Sequence, residues 1–491
     1  MSYQLPIAHP DCLYIDGRWI RPAAAQYIDI VSPDTETIVA RVAEARAAEV
    51  DAAVLAARRA FDEGPWPRMA PAARAKLLAA LAERLTARHP ELCAAWTAQV
   101  GGLAAAAPFV VGAGTKSYTT MAELGTSFAF EQRVASTMSP CAFVVREPVG
   151  VVAAIAPWNV PYAIMSSKVA PALLAGCTVL MKPAPETPIE AYIIAECAEA
   201  VGLPPGVLNL LPAHREAADY LVRNRGVDKV SFTGSTAAGR HIGAVCSERV
   251  ARCTLELGGK SALLLLEDFP VAEAAQVMAR TITVSSGQVC AMLSRAIVPR
   301  KHHAALSEAI AAAMQQVRIG YSTDPATQMG PLAMKRQLER VEGYIASGRA
   351  SGATLVTGGK RPKGFERGYF IEPTLFANVD NSSVIAQEEI FGPVLCLIPA
   401  DDVDHAVRIA NDSIYGLNGA VLTRDAEAAY RIARRVRSGN FSQNAMRADF
   451  SLPFGGFKQS GIGREGGAWG LQSFLETKTI LLDAPPASLA S

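Results

Sequence analysis

The sequence predicts an α/β protein of two or three domains, one of them a doubly wound parallel sheet, and two observations support this prediction. From about Val144 onward, short apolar runs alternate with stretches of helical periodicity, such as "VGVVAAIAP" before "SSKVAPALLAG" and "CTVLMKPAP" before "PIEAYIIAECAEAVG". Uninterrupted apolar strands that alternate with helices are typical of a parallel sheet covered on both faces. The second observation is length, because 491 residues exceed what one hydrophobic core usually holds. We therefore expect two or three domains.

The predicted elements follow one another in a consistent order. Residues Ala43 to Arg88 predict two helices separated by the breaker-rich stretch "DEGPWPRMAPAA". The first parallel series continues with the strands of "GVLNLLPA", "DKVSFTGS" and "RCTLELGG". A second series starts at Ser261 with "SALLLLED" and includes "RAIVPR" and "GPVLCLIPA", which predicts a second α/β domain. The glycine-rich loop "PFGGFKQSGIGREGG" and a short tail follow.

Composition argues against several functional classes. Lys and Arg number 47 against 46 Asp and Glu, so we expect neither a nucleic acid nor an anionic membrane as partner. Nine widely spaced cysteines without any C-x-x-C argue against a disulfide framework and against zinc, so no metal site is expected. The chain has no uncharged apolar run of about 18 residues, and its first residues do not resemble a signal peptide. We therefore expect a cytoplasmic protein.

Three polar residues at predicted strand ends or turns are candidates for catalysis. Cys290 follows a Ser-Gly-Gln turn in "SSGQVCAMLSR", and a cysteine thiolate is a strong nucleophile. Most free cysteines are buried and structural, however, so this neighbourhood alone does not single Cys290 out. Glu256 ends an apolar strand, where partial burial would raise the pKa of its carboxyl group. Asn159 in "APWNVP" offers a side-chain N–H to an oxyanion, and a turn-forming role is its alternative.

A glycine-containing turn and a lysine are candidates for phosphate or ribose binding. "FTGSTAAGR" places Gly234 and Gly239 between a strand and a helix, where backbone N–H groups and the helix dipole favour a phosphate. The pattern is weak, because it is neither G-x-G-x-x-G nor a P-loop. Lys182 in "MKPAPETP" also follows a strand, although a solvated lysine is the ordinary alternative. All these residues lie at the carboxyl ends of strands, where ligands bind in such sheets.

Taken together, these stretches resemble the aldehyde dehydrogenase superfamily over nearly the whole chain. Seven motifs occur in that family's order, namely "PWNV", "MKPAPETP", "FTGSTAAGR", "LELGGKS", "SGQVC", "EEIFGPV" and "PFGGFKQSGIGRE". The 34-residue step from Glu256 to Cys290 also matches the family's step from base to nucleophile. Seven motifs in register are far more specific than any one of them.

The resemblance implies a role for each matching residue. Cys290 would be the nucleophile, Asn159 the oxyanion-hole amide and Glu256 the general base that activates water. Lys168 and Glu465 match the positions of a proton relay. The implied cofactor is NAD, in a cleft formed by Ile155, Pro157, Trp158, Lys182, Gly234, Ser235, Gly239, Leu257, Glu389 and Phe391. The implied substrate tunnel is lined by Val160, Ile164, Ser167, Val289, Ala291, Phe450 and Phe454, with Ala448 at a loop nearby.

The implied reaction is oxidation of an aldehyde to a carboxylic acid through a thiohemiacetal and a thioester on Cys290. None of the tunnel residues is charged, and Ser167 stands where some relatives place tryptophan, so we expect a medium-chain, aromatic or terpenoid aldehyde. Pro185 stands where the family often has a glutamate that repels a 2′-phosphate. NADP is therefore a possible cofactor, although Glu186 can substitute for the missing carboxylate.

The resemblance also implies a domain division and an oligomer. Residues 1–122 and 148–258 would form the cofactor-binding domain and residues 259–470 the catalytic domain. Residues 123–147 and 471–491 would form a small β oligomerisation element, with strands near Ser139 to Glu147 and near Lys478 to Asp483. An apolar edge strand favours pairing, so we expect a homodimer or a homotetramer.

Three alternatives remain open at this point. A coenzyme A-acylating enzyme of the same fold commonly lacks the glutamate that matches Glu256. A non-catalytic structural protein of this fold would not need Cys290, Glu256 and Asn159 together. A cysteine hydrolase without cofactor would need a histidine partner, and none of the seven histidines stands in a setting that suggests catalysis.

Overall fold

The structure is a computed structural model that describes residues 6–486. The predicted domain ranges that begin at residue 1 and end at residue 491 extend, at those two ends, outside the described residues. The strands are β1 (Leu13–Ile15), β2 (Arg18–Ile20), β3 (Tyr27–Val31), β4 (Ile38–Ala43), β5 (Glu131–Val134), β6 (Cys141–Pro148), β7 (Val151–Ile155), β8 (Thr178–Lys182), β9 (Leu208–Leu210), β10 (Lys229–Thr233), β11 (Arg252–Glu256), β12 (Ser261–Leu265), β13 (Leu293–Pro299), β14 (Thr354–Thr357), β15 (Thr374–Ala377), β16 (Val394–Ala400), β17 (Gly419–Leu422), β18 (Ser442–Gln443), β19 (Gly461–Ile462) and β20 (Leu475–Leu482).

The helices cover the faces of the sheets and connect their parallel strands. They are α1 (Ala47–Asp62), α2 (Pro71–Ala87), α3 (His89–Val100), α4 (Ala107–Ser127), α5 (Pro161–Ala175), α6 (Ile189–Ala200), α7 (Arg215–Arg223), α8 (Thr236–Glu248), α9 (Val271–Thr283), α10 (His303–Gln315), α11 (Lys335–Ala350), α12 (Val384–Gln387), α13 (Val403–Asn411), α14 (Ala426–Ala433) and α15 (Gly467–Gln472). The predicted pair of helices between residues 43 and 88 is confirmed as α1 and α2, with a short 3₁₀ turn between them.

The first sheet has eight strands in the order β19-β11-β10-β7-β8-β9-β1-β2, and its strands from β11 to β9 are parallel. The chain builds outward from β7 in one direction through β8 and β9, then returns to the other side of β7 as β10 and β11. The predicted doubly wound sheet is therefore confirmed. Its switch point lies between β7 and β10, and ligands bind at such points in open α/β sheets.

Hydrophobic clusters cover both faces of β7, and this explains why its sequence is a continuous apolar run. Val152 and Ala154 pack into one hydrophobic cluster, whereas Val151, Ala153 and Ile155 pack into a second cluster on the other face. Successive side chains of a strand point to opposite faces, so a strand covered by helices on both sides must be apolar throughout.

The second sheet has seven strands in the order β14-β15-β16-β13-β12-β17-β18 and is parallel except for β14. It confirms the predicted second α/β unit, and Cys290 lies in the turn that leads into β13. The sequence did not predict β19, which lies within the glycine-rich loop. β19 joins the first sheet antiparallel to β11, with Gly461 paired to Glu256, and so brings that loop to the end of β11.

The third sheet has the order β20-β6-β5. β20 pairs with β6 without a break from the pair Leu475–Pro148 to the pair Leu482–Cys141. The two strands expected near residues 139–147 and 478–483 are therefore present and antiparallel. Among residues 6–486, β20 pairs with β6 on one edge and has no strand partner on its other edge.

Two structural features are absent from residues 6–486. No helix there is long and apolar enough to cross a membrane. Within the same range, no three His, Cys, Asp or Glu side chains come together as metal ligands would.

Candidate active site

A cavity of about 360 Å³ lies where the carboxyl ends of β7, β10 and β11 meet the Cys290 turn. Parallel strands bring their carboxyl ends to one edge of the sheet, so residues far apart in sequence become neighbours. The residues that line the cavity are Pro157, Trp158, Asn159, Ile164, Thr233, Gly234, Ser235, Leu257, Gly258, Cys290, Arg336, Gln337, Arg340, Glu389 and Phe391. Seven of the ten residues expected in a cofactor cleft are in this set. Ile155, Lys182 and Gly239 are not.

The turn that carries Cys290 is held in an unusual conformation by its neighbours. Ser285 and Ser286 have φ angles of 48° and 54°, in the left-handed region, and are followed by Gly287 at +75°. A Cβ on Gly287 would lie 2.2 Å from the backbone of Gly392, so this position requires glycine. Two amides hold the chain on either side of the thiol.

These two amides belong to Asn159 and Asn418. Asn159 Nδ2 donates to the backbone oxygen of Gln288 at 3.0 Å, and Asn418 Nδ2 donates to that of Ala291 at 3.0 Å. Cys290 therefore sits between two anchored residues in a turn with little freedom. Such fixed placement is what a reacting group requires.

The surroundings of the Cys290 thiol raise its pKa above the ordinary value for a cysteine. Burial raises its pKa to about 12, and the carboxylates of Glu389 and Glu256 add to this rise. The backbone N–H groups of Ala291 and of Cys290 itself act in the opposite direction. A positive charge brought close to the sulfur would favour the thiolate.

Asn159 is held so that its side chain faces the Cys290 turn. It is buried at the start of α5, and the indole N–H of Trp96 donates to its backbone oxygen at 3.1 Å. A side-chain amide has two N–H donors, and the described contact with Gln288 uses one of them. The other is available to an oxyanion formed at the cavity.

Glu256 is a buried carboxyl group without a hydrogen-bond donor. It is 3% exposed, and neither of its oxygens has a partner among the described residues. Burial raises its pKa well above the ordinary value, and the negative charge of Glu465 adds to this, whereas Lys168 and Arg464 oppose it. A carboxyl group in this state has two unused acceptor oxygens and a raised pKa, which suits a general base. Gly455 approaches so closely that a Cβ there would lie 2.6 Å from Glu256 Oε1.

A buried ion pair lies behind Glu256. Lys168 is fully buried on α5, and its Nζ donates to Glu465 Oε1 and, at 2.7 Å, to Thr233 Oγ1. Thr233 is the direct β-ladder partner of Glu256. The hydroxyl of Ser167 lies 3.0 Å from Glu465 Oε2. The two residues expected to form a relay are therefore in contact with each other and next to the expected base.

The residues expected near a nicotinamide ribose form a second polar group on the cavity wall. Glu389 Oε1 accepts from the backbone N–H of Gly259 at 3.0 Å, and burial raises the pKa of Glu389 to about 7. Gly258 leaves room for this carboxylate, because a Cβ there would lie 2.3 Å from its Oε2. The rings of Trp158 and Phe391 meet edge to face with centroids 5.2 Å apart.

The turn after β10 offers a helix N-terminus at the cavity. Ser235 is the N-cap of α8, and its hydroxyl accepts from the backbone N–H of Ala238 at 3.3 Å. Gly239 has a different environment, since it packs against Leu257 so closely that a Cβ would lie 2.3 Å from the leucine Cδ2. Of the two glycines of the turn, Gly234 lines the cavity and Gly239 supports Leu257 from behind.

Lys182 and Glu186 lie next to the cavity without lining it. Lys182 ends β8 opposite Ile155 of β7, and burial lowers the pKa of its amine to about 8. Glu186 Oε1 accepts from Arg336, a cavity residue, at 3.1 Å. The carboxylate next to Pro185 is therefore paired with a cation.

An apolar wall lies against the other side of Cys290. Ala291, Leu417 and Phe454 form a small buried cluster, and Val289 and Cys290 pack against it. Phe450 is 36% exposed and lies with its ring centroid 4.9 Å from that of Phe454.

The other residues expected along a tunnel have varied environments. Ile164 lines the cavity, Val160 is half-buried before α5, and Ala448 is exposed. Ser167 is buried and contacts Glu465.

Sequence reasoning missed a group of cavity residues on α11. Arg336, Gln337 and Arg340 line the cavity, and Gln337 Nε2 donates to the backbone oxygen of Phe391 at 2.6 Å. Their stretch "MKRQLERVEGY" has the charge pattern of an ordinary solvated helix. No local pattern distinguishes it, because the contacts of Gln337 and Arg340 with residues 389–391 are tertiary.

Comparison with known proteins gives one consistent family. Residues 19–480 match the aldehyde dehydrogenase family. The chain is 40% identical to a 3-succinoylsemialdehyde-pyridine dehydrogenase from a Pseudomonas species, over 95% of this chain and 98% of that protein. It is 38% identical to geranial dehydrogenase from Castellaniella defragrans, over 96% of this chain and 98% of that protein.

A solved structure shows the same likeness in three dimensions. A mutant of aldehyde dehydrogenase C from Pseudomonas syringae, in complex with NAD+ and octanal, matches with a TM-score of 0.94 and 38% identity. The match covers 98% of this chain and 99% of that one.

Proposed function

Because the chain belongs to the aldehyde dehydrogenase family, we propose that it oxidises an aldehyde to the carboxylic acid with NAD as the hydride acceptor. The observation that carries the proposal is the meeting of Cys290, Asn159 and an unpartnered Glu256 at one strand-end cavity. Appearance of NADH absorbance with a small panel of aldehydes tests it. No NADH with any member of the panel would contradict the proposal.

The cavity residues suit a dinucleotide. The N-terminus of α8 offers backbone N–H groups to a pyrophosphate, and the Glu389 carboxylate offers acceptors to ribose hydroxyls. Trp158 and Phe391 supply apolar surface at the same cavity. When bound, oxidised NAD supplies a positive ring that favours the Cys290 thiolate and a carbon that accepts hydride.

In the first half-reaction the Cys290 thiol releases its proton to water, the thiolate sulfur bonds to the aldehyde carbon, and the carbonyl oxygen becomes an oxyanion. Asn159 and the backbone N–H of Cys290 hold that oxyanion, and losing one such donor typically costs about 10²–10³ in rate. The carbonyl then re-forms as the hydride leaves, and the product is a thioester on Cys290.

In the second half-reaction Glu256 removes a proton from water as the water oxygen attacks the thioester carbon. The carbon–sulfur bond breaks, the thiolate is regenerated, and the carboxylic acid leaves. Lys168 and Glu465 can carry the proton away from Glu256, because they are its charged neighbours. The buried, unpartnered Glu256 carboxyl supports hydrolysis over transfer of the acyl group to coenzyme A.

The preferred substrate is proposed to be an apolar aldehyde of medium chain length, or an aromatic or terpenoid one. The apolar cluster against Cys290 supports this, as do relatives named for geranial and a pyridine semialdehyde and the neighbour in complex with octanal. A charged aldehyde would lose its hydration at this wall without gaining a partner.

A homologous series of straight-chain aldehydes is expected to show kcat/KM rising by about ten-fold or more over a few added methylenes. Each buried methylene contributes roughly 0.8 kcal/mol. Phe450→Ala should reduce the gain for the longer aldehydes and leave the shortest ones nearly unchanged, because Phe450 lies at the exposed end of the wall. A flat profile, or the best activity with betaine aldehyde, would contradict the proposed substrate class.

NADP is a second possible cofactor of the same site. Pro185 provides no carboxylate, and Glu186 is paired with Arg336, which weakens the repulsion of a 2′-phosphate. Comparison of kcat/KM for the two cofactors measures this directly.

The proposed division into domains follows the sheets. We assign the first sheet to cofactor binding, the second to catalysis and the third to oligomerisation. β19 belongs to the proposed catalytic domain by its position in sequence, but it pairs with β11 of the first sheet. All nine cysteines are free, which supports a reducing compartment such as the cytoplasm.

Sedimentation velocity at micromolar concentration is expected to show a homodimer or a homotetramer. The open edge of β20 and the 52% exposure of its Leu481 side chain favour pairing with a second copy. Leu481→Asp should shift the distribution toward smaller species. A stable monomer of the unmodified chain at that concentration would refute the proposed oligomer.

A further inference from the structure

Ser167 has a polar contact that a tunnel-lining role does not explain. Its side chain is almost fully buried on α5, and its hydroxyl oxygen lies 3.0 Å from Glu465 Oε2 and 2.9 Å from the backbone oxygen of Ile164. A hydroxyl has one proton to donate, and a carboxylate accepts more strongly than a peptide oxygen. The contact with Glu465 joins residues that are 298 positions apart in sequence.

The two side-chain oxygens of Glu465 have one described donor each. Lys168 donates to Oε1 and Ser167 donates to Oε2. The backbone of Glu465 is fixed separately, by two hydrogen bonds of 2.8 Å to the backbone of Phe454. The orientation of the carboxylate therefore depends on Lys168 and Ser167 together.

The Lys168–Glu465 pair in turn faces Glu256. Lys168 also donates to Thr233, the ladder partner of Glu256, and no described residue donates to the Glu256 oxygens. The charged and titratable groups around Glu256 are Glu465, Lys168, Arg464 and the Cys290 thiol. A change in the position or charge of Glu465 therefore acts directly on Glu256.

We propose that Ser167 is a positioning residue for the hydrolytic half-reaction: its hydroxyl holds the Glu465 carboxylate against Lys168 and so sets the electrostatic surroundings of Glu256. The inference rests on the proposed function, because it concerns the step in which Glu256 activates water. It gives Ser167 a role in hydrolysis in addition to the space that a small side chain leaves for the substrate.

Removal of the hydroxyl leaves Glu465 Oε2 buried without a donor. The carboxylate is then free to turn away from Glu256, and Glu256 faces less negative charge. The pKa of Glu256 falls as a result, since the charge of Glu465 is one of the causes that raise it. In the pH–rate profile, turnover decreases on the acidic side as Glu256 takes up a proton. This acid limb should therefore move to lower pH.

Ser167→Ala is expected to lower steady-state turnover by about ten-fold, because a Glu256 carboxylate of lower pKa is a weaker base toward water. The first-turnover burst of NADH should keep its rate, and its amplitude should not fall. The acid limb should move down by roughly half a pH unit or more. Ser166→Ala is the matched control, because Ser166 is the adjacent, fully buried serine of α5 and has no described hydrogen bond to Glu465.

Ser167→Thr and Ser167→Val keep the test independent of packing, because the two side chains have the same shape and differ in the hydroxyl. Threonine should restore the wild-type acid limb, whereas valine should behave like alanine. If the threonine and valine variants share one pH profile, or if Ser167→Ala matches Ser166→Ala, the positioning role is wrong. A burst of NADH in these variants would still support aldehyde oxidation. Loss of the burst in the unmodified chain would instead contradict the proposed function.

Discussion

Cys290→Ala is expected to reduce aldehyde-dependent NADH formation to less than about 1% of the wild-type rate. The sulfur forms the bond to the substrate in the proposed reaction, and alanine has no atom that can replace it. Folding and NAD binding should change little, because the turn is held by Asn159, Asn418 and the glycine at position 287 rather than by the thiol. Turnover, a thermal melt and NAD binding by fluorescence measure the three effects separately.

Cys93→Ala is a suitable control for this experiment. Cys93 is also free and half-buried, but it lies on α3 and lines a different cavity. Its replacement should leave NADH formation close to the wild-type rate. If the Cys290 variant keeps more than a few per cent of its activity at intact fold, Cys290 is not the nucleophile.

Glu256→Gln is expected to separate the two half-reactions. Glutamine keeps the size of the side chain and cannot accept a proton from water, so steady turnover should fall by about 10² or more. Formation of the thioester does not need the carboxylate in the proposed scheme, so a burst of about one NADH per active site should remain. Stopped-flow absorbance resolves the burst from the steady phase.

The pH dependence of the unmodified chain provides a second test of Glu256. The carboxyl group acts as a base in its deprotonated form, and burial raises its pKa well above the ordinary value. Steady turnover should therefore increase as the pH rises through that elevated pKa, and Glu256→Gln should lack this limb. Glu248→Gln, an exposed change at the end of α8, serves as control. Parallel loss of the burst and the steady rate would mean that Glu256 also acts in thioester formation.

Much of the site could be predicted from the sequence because parallel sheets place strand ends together. "APWNV", "FTGST" and "ELGG" each follow an apolar run, and the structure brings Trp158, Ser235 and Leu257 to one cavity. The periodicity that identifies the strands also fixes which of their residues come last. Local pattern and tertiary placement therefore agree for the residues that follow β7, β10 and β11.

Contacts between distant segments could not be predicted in this way. The bond between Ser167 and Glu465 depends on how the glycine-rich loop folds back across the first sheet as β19. Gly461 pairs with Glu256 there, and two residues of strand are too short to show a periodicity. The cavity residues of α11 could not be predicted for a similar reason, because the helix has the charge pattern of a solvent-exposed helix.

The environment of the Cys290 thiol could not be predicted from the sequence either. Burial raises the pKa of Cys290 to about 12, and this follows from the packing of Ala291, Leu417 and Phe454 around the turn and from two nearby carboxylates. The residue's own neighbours in sequence contain no charge. Its reactivity therefore depends on partners, chiefly the positive ring of the cofactor and the amide of Asn159.

The most direct test of the account is the covalent state of Cys290 in the Glu256→Gln variant. After mixing with octanal and NAD and quenching in acid, intact-protein mass spectrometry should show one added acyl group, and peptide mapping should place it on Cys290. The thioester should accumulate on nearly all active sites of this variant and on fewer of them in the unmodified chain, because hydrolysis is the step that Glu256 drives. NADH formation with Cys290 unmodified, or with the acyl group on another cysteine, would contradict the central claim that Cys290 is the nucleophile and Glu256 the hydrolytic base.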